Sequence, residues 1–112
     1  MTVQTHDQLL ETVKSALNAC GSTITVGEGD LMSRTPLTGA ELLAVESTSK
    51  EGVDKAIAAA DEAFKSWRNV PAPQRGNVVK RWGELLAEHK RDLATLVQIE
   101  AGKSMSEAEG EI

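Results

Sequence analysis

Apolar residues recur every three or four positions in several stretches of the chain, and this spacing predicts helices. The first helix is predicted to begin after Thr5, which has a capping-box pattern with Gln8, and to end at Gly21. Its apolar positions are Leu9, Leu10, Val13, Ala16, Leu17 and Cys20. Because Cys20 falls on this apolar face, we expect the thiol to be a small buried hydrophobic group.

The region from Ser22 to Glu46 has the features of strands and turns. Residues 22–26 are β-branched or small and alternate, and a glycine-rich stretch at 27–30 interrupts them. Pro36 and Gly39 stand near the start and the end of a turn between two short extended segments. We therefore predict a β-hairpin over about Leu31–Glu46.

The remainder is predicted to be helical. A capping signature at residues 48–51 precedes the most regular apolar stripe of the chain, formed by Val53, Ile57, Ala60, Phe64 and Trp67. Pro71 ends this helix and Pro73 lies in the first turn of the next, whose apolar positions are Val78, Val79, Trp82, Leu85 and Leu86. The pattern restarts at Asp92 and ends near Gly102, and a polar helix is predicted over 104–112.

The predicted fold class is therefore α+β: an N-terminal helix, a β-hairpin, then two to four helices. With 112 residues the chain has room for one core, and we treat residues 1–112 as a single partial domain. The sequence stops inside a predicted helix, so we expect it to be a truncation.

Composition and charge argue against several functional classes. The net charge is −5 and the basic residues are scattered, so no positive stripe is available for nucleic acid. The apolar runs are too short to span a membrane, and the N-terminus lacks the pattern of a signal peptide. A cytoplasmic location is expected.

No active site is apparent from the residues alone. Cys20 lacks the electropositive setting of a nucleophile, and neither His6 nor His89 has a partner at a recognised metal-ligand spacing. His89 is expected near a helix C-terminus, where it interacts favourably with exposed carbonyls. The acidic residues near the end of the chain alternate around a helix, which predicts a solvated face, and a phosphate-binding glycine motif is absent.

Several short motifs nevertheless occur in one order, and together they resemble the N-terminal region of aldehyde dehydrogenases from about Leu31 onward. Residues 34–41 match an extended segment of the form SPxTGE, apart from Ala40 before the acid, and a helix at 53–60 leads to AFxxW at 63–67. An ExGK motif follows at 100–103. Residues 70–76 and 107–112 resemble the group that contains α-aminoadipic semialdehyde dehydrogenases.

The resemblance implies an enzyme that uses NAD or NADP to oxidise an aldehyde, such as a semialdehyde, to a carboxylic acid. The catalytic and cofactor-binding residues of that family lie downstream of this region, so we assign none here and expect the fragment to be inactive and to bind no cofactor. It also implies the first part of an α/β Rossmann-type cofactor-binding domain, whose helices pack on a later parallel sheet, in an enzyme expected to be a homo-oligomer.

One residue role is implied by the resemblance. Many family members bind a structural monovalent cation through a carboxylate two residues before the Gly-Lys pair, which here is Glu100, with backbone carbonyls near Ser33 and Arg34. An ordinary helix-face glutamate is the competing interpretation. The competing hypothesis for the whole chain is a self-standing helical domain that binds another protein and has no enzymatic activity.

Overall fold

The computed structural model describes residues 4–24 and 27–112 and confirms the α+β prediction. Its elements are α1 (His6–Ala19), β1 (Leu31–Arg34), β2 (Glu41–Val45), α2 (Lys50–Trp67), α3 (Ala72–Glu88), α4 (Lys90–Ala101) and α5 (Met105–Glu111). They form two compact units. The first combines the chain up to Glu46 with Leu86–Ile112, and the second is Ser47–Leu85.

Helix α1 begins with the predicted capping box. The Gln8 amide donates to Thr5 Oγ1 at 3.3 Å, and the Thr5 amide donates to Gln8 Oε1 at 2.9 Å. These two bonds satisfy amide groups that have no partner inside the helix. The start of α1 is therefore determined locally, by the sequence that predicts it.

Helix α1 ends in a Schellman motif around Gly21, which has a φ of +69°. The Ser22 amide donates to the Leu17 carbonyl at 3.0 Å, and the Gly21 amide donates to the Asn18 carbonyl at 3.0 Å. Cys20 is consequently the cap residue of α1 and lies after its last turn. The prediction that Cys20 is a buried apolar-face residue is wrong: the thiol is half-buried at the end of the helix.

The predicted hairpin is confirmed. Strands β1 and β2 are antiparallel, with Leu31 opposite Val45 and Arg34 opposite Glu41, and the register shifts between Met32 and Arg34. The turn is closed by hydrogen bonds within residues 35–40, where Gly39 has a φ of +74°. Of the alternating residues predicted before the hairpin, Ser22–Ile24 form no strand, and Thr25 and Val26 lie outside the described residues.

The core of the first unit joins α1, β2 and α4. It consists of Leu9, Val13, Leu42 and Ile99, with partly buried leucines around it. Thr35 is buried beside this core and donates from its Oγ1 to the Ile99 carbonyl at 2.6 Å. Because a buried polar group left without a partner is costly, this bond ties the start of the hairpin turn to the last turn of α4.

The second unit contains α2 and α3 as far as Leu85, and both helices follow the predicted pattern. The Ser49 side chain caps α2 by accepting from the Gly52 amide at 3.1 Å, and α3 begins immediately after Pro71. Neither helix has a buried residue, although both carry apolar stripes. The predicted apolar stripes are present on both helices, and no other residue of this unit buries them.

Helices α4 and α5 are separated by Gly102, which has a φ of +70° and ends α4 by donating its amide to the Gln98 carbonyl at 2.9 Å. A capping box between Ser104 and Glu107 then starts α5, which confirms the predicted terminal helix. No helix among the described residues is long and apolar enough to cross a bilayer.

Gly102 and Gly39 offer a matched pair of substitutions. Both have a left-handed φ, but a Cβ on Gly102 would lie 2.8 Å from Pro36 Cγ, whereas a Cβ on Gly39 would meet no atom within 4 Å. Gly39→Ala is expected to cost about 1–2 kcal/mol for the backbone conformation alone. Gly102→Ala is expected to cost about 1–3 kcal/mol more, because the added methyl group overlaps a rigid ring.

The measurement is amide hydrogen exchange in the hairpin and α4. A third variant, Pro36→Ala, should remove the excess cost of Gly102→Ala when the two changes are combined. Equal losses of protection in Gly102→Ala and Gly39→Ala would show that the contact with Pro36 adds nothing to the free-energy cost of Gly102→Ala.

The α5 cap should respond to acid. The Ser104 hydroxyl and amide donate to the Glu107 carboxylate at 2.7 and 3.1 Å and hold its pKa below the ordinary 4.5. A lowered folded pKa means that the cap stabilises α5 above pH 4.5 and loses this effect as the pH falls through the folded value. Carbon NMR of the Glu107 carboxyl should show the low pKa, and Ser104→Ala should raise it. Ser15→Ala on α1 is the control, and equal titration curves in the two variants would contradict the assignment.

Candidate functional site

Glu100 lies where the last turn of α4 meets strand β1. Ser33 Oγ donates to Glu100 Oε1 at 3.1 Å, so the structure brings together the glutamate and one of the two residues expected near it. The Arg34 side chain instead pairs with Glu41 across the hairpin. The Glu100 carboxylate thus has one oxygen held by a hydroxyl group beside the backbone of β1.

An open cleft of about 330 Å³ extends from this point along the hairpin. Its lining is mainly aliphatic and includes Leu17, Leu31, Leu42 and Leu96, with Ser33 and Glu100 at its polar end. Aliphatic walls of this kind can accept apolar side chains, whereas the single carboxylate offers oxygen ligands to a hard cation.

A cluster that the sequence did not predict lies where the C-terminal end of α1 meets the start of α4. The ligand atoms of Cys20, His89 and Asp92 all lie within 4.8 Å of one another, and the three residues are half-buried. His89 has no partner at a recognised ligand spacing in the sequence, but the fold brings Cys20 and Asp92 beside it. His89 follows α3, as predicted, but it is also the cap residue of α4 and makes no capping hydrogen bond with its side chain.

The surroundings of Cys20 disfavour ionisation of its thiol. Burial raises the pKa of the Cys20 thiol above its ordinary value, and the neighbouring Asp92 carboxylate raises this pKa further. Both effects favour the neutral thiol over the thiolate, which is the reactive form.

The acidic residues near the end of the chain do not converge. Glu107 caps α5, Glu109 pairs with Arg91 at 2.8 Å, and Glu111 pairs with Lys103. Each carboxylate therefore has its own partner on the surface of the first unit. The predicted alternation around the helix is confirmed.

The second unit exposes a large apolar area. Trp67 is 42% exposed and Trp82 65% exposed, and the other exposed apolar residues of α2 and α3 are Val53, Ile57, Phe64, Val78, Val79 and Leu85. The guanidinium of Arg68 lies 5.9 Å from the centre of the Phe64 ring. Apolar residues at helical spacing, exposed along two successive helices, indicate surfaces that pack against another part of a protein.

The sheet of the described residues differs from the sheets that carry dinucleotide sites. It has two antiparallel strands, whereas dinucleotide sites are built at the ends of parallel strands with a glycine-rich turn into a helix. We therefore assign no cofactor-binding residue to this part of the chain.

The model of the aldehyde dehydrogenase family matches residues 25–112, which is well over half of the chain. The chain belongs to the aldehyde dehydrogenase family. The resemblance carried by the hairpin, the AFxxW helix and the ExGK motif is thereby confirmed. The matched region begins after α1, so Cys20 lies outside it while His89 and Asp92 lie inside.

Individual aldehyde dehydrogenases match over most of the chain. Malonate-semialdehyde dehydrogenase 2 of Geobacillus kaustophilus is 47% identical over 77 residues, which are 69% of this chain and 16% of that protein. Malonate-semialdehyde dehydrogenase 2 of Geobacillus thermodenitrificans is 39% identical over 102 residues, or 91% of this chain and 21% of that protein. The corresponding enzyme of Halalkalibacterium halodurans is 43% identical over 77 residues.

The chain thus spans between 16% and 21% of the length of these aldehyde dehydrogenases. The particular likeness to α-aminoadipic semialdehyde dehydrogenases is not confirmed by them and stays a prediction.

Proposed function

We propose that this chain is the N-terminal part of the cofactor-binding domain of an NAD(P)-dependent enzyme that oxidises a semialdehyde to a carboxylic acid. The family match over residues 25–112 and the names of the relatives support this proposal. A semialdehyde carries a carboxylate in addition to the aldehyde. Malonate semialdehyde is the first substrate to test, and α-aminoadipic semialdehyde is the second.

The observation that carries the proposal is the absence of buried residues in α2 and α3. Burying one large apolar side chain stabilises a protein by about 1.5–3 kcal/mol, and these helices leave eight such side chains exposed. The remainder of a complete aldehyde dehydrogenase would supply the surface that covers them. In this arrangement the chain forms an outer layer, and Phe64, Trp67 and Trp82 are packing residues.

The chain's own contribution is therefore structural. We expect it to supply neither a nucleophile nor a dinucleotide site, and the family's catalytic cysteine, glutamate base and oxyanion-hole asparagine would come from the other part of the enzyme. NAD or NADP, bound there, would accept the hydride from the substrate. A cytoplasmic location and a homo-oligomeric complete enzyme remain predictions.

The proposal predicts that the purified chain is inactive and that it restores activity to a partner lacking this region. We expect no NADH or NADPH from the chain with malonate semialdehyde and either cofactor. The complementing partner is the G. thermodenitrificans relative with its 102 matched residues removed. Mixing or co-expressing the two should give aldehyde-dependent reduction of the cofactor, followed by absorbance.

Two variants make this assay specific. Trp82→Asp places a charge on the exposed apolar face of α3 and should abolish complementation, whereas Asn77→Asp on the same helix should retain it. Activity of the chain alone would overturn its structural role. A monodisperse chain that unfolds cooperatively and complements nothing would favour the competing protein-interaction domain.

For Glu100 we propose the role of ligand to a structural monovalent cation. Its support is the contact with Ser33, which holds the carboxylate beside the backbone of β1, and the preference of hard cations for oxygen ligands. A cation would reduce the charge at the end of α4 and link that helix to the hairpin. This role affects stability and requires no catalytic residue in the chain.

The test compares thermal unfolding in potassium chloride, sodium chloride and tetramethylammonium chloride at equal ionic strength. A cation at ten times its dissociation constant stabilises by about 1.4 kcal/mol, which is several degrees in Tm for a domain of this size. Glu100→Gln should remove this cation dependence, and Glu11→Gln on α1 should preserve it. An unchanged dependence in Glu100→Gln would leave Glu100 as an ordinary helix-face residue.

A further inference from the structure

The cluster of Cys20, His89 and Asp92 combines three different donor atoms from two helices. A sulfur, an imidazole nitrogen and a carboxylate oxygen all lie within 4.8 Å of one another. All three residues are half-buried, so none of them is closed off from solvent. Its residues belong to the first compact unit.

The local fold explains how the three residues come together. The Schellman motif at Gly21 ends α1 and fixes the backbone of Cys20 at the tip of the helix. His89 marks the break between α3 and α4, and Asp92 follows in the first turn of α4. Helices α1 and α4 pack side by side, so the end of one meets the start of the other.

The donor set selects among metal ions. Calcium and magnesium prefer oxygen ligands only, whereas zinc accepts thiolate, imidazole and carboxylate together. Ligands 2.0–2.3 Å from a tetrahedral zinc lie roughly 3.3–3.8 Å from one another, so contraction by about an ångström from the outer limit of this cluster is sufficient. Three protein ligands leave the fourth position to water.

From this geometry we propose that Cys20, His89 and Asp92 form a zinc site. On binding, zinc displaces the proton of the Cys20 thiol, and the metal joins the end of α1 to the start of α4. The site connects the N-terminal helix, which precedes the family-matched region, to residues inside that region. The proposed role of the metal is to hold the two helices together, and it takes no part in the aldehyde chemistry.

Zinc binding is measured on the purified, metal-free chain by competition with a chromophoric chelator. One zinc per chain is expected. Removing a ligand should weaken binding by more than the roughly 10–100-fold that loss of an outer-shell partner costs. Cys20→Ser, His89→Asn and Asp92→Asn should each show this loss, whereas His6→Asn, which removes the other histidine, should bind normally.

Two further readouts do not depend on the variants folding well. Cys20 is the only cysteine, so its rate of reaction with a thiol reagent should fall at least tenfold at saturating zinc. Cobalt(II) added to the unmodified chain should give a thiolate charge-transfer band and the visible spectrum of a tetrahedral site. Far-UV circular dichroism checks that each variant retains its helices.

Some outcomes would overturn the site. If zinc binds with equal affinity to Cys20→Ser and the unmodified chain, the binding is adventitious. If saturating zinc leaves the reactivity of Cys20 unchanged, the sulfur is not a ligand. Equal loss of binding in His6→Asn would place the metal elsewhere.

Discussion

The hydrogen bond from Thr35 Oγ1 to the Ile99 carbonyl fixes the hairpin against the end of α4, and the surrounding contacts follow from it. On one side of Thr35, Ser33 reaches Glu100. On the other side, Pro36 contacts Gly102 closely enough that only a glycine fits there. Two short motifs that are far apart in the sequence, the turn and the ExGK segment, are thus halves of one structural junction.

The two units of the chain differ in how they obtain stability. In the first, α1, β2 and α4 share a core, and polar groups at the helix ends are capped by side chains or by glycine turns. In the second, the sequence pattern predicts α2 and α3 correctly, but these helices form no core, since neither contains a buried residue. Helices gain most of their stability in proteins from packing of an apolar face. The second unit therefore depends on a surface that it does not itself provide.

Features determined by neighbours in the sequence were predictable. The caps at Thr5 and Ser49, the hairpin turn, Pro71 and Gly102 all act within a few residues, and the structure places them as the pattern indicated. Cys20 was misplaced because its neighbours made it look like one more residue of an apolar face. The helix ends one residue earlier, and the position of the thiol depends on the Schellman motif at Gly21.

The cluster of Cys20, His89 and Asp92 could not be predicted for a different reason. It requires α1 to pack beside α4, and that contact arises from the common core of the first unit. The position of Glu100 beside Ser33 was expected only through resemblance to a family. Spacing along the chain carries no information about such long-range contacts unless a motif fixes them.

The distribution of aromatic residues has a consequence for spectroscopy. The chain contains one phenylalanine, two tryptophans and no tyrosine, and Phe64, Trp67 and Trp82 all lie in Ser47–Leu85. Intrinsic fluorescence therefore reports directly on α2 and α3 alone, while the unit that contains the core has no aromatic chromophore of its own. A melting curve recorded by emission can show a single transition while α1, the hairpin and α4 have already unfolded or are still intact.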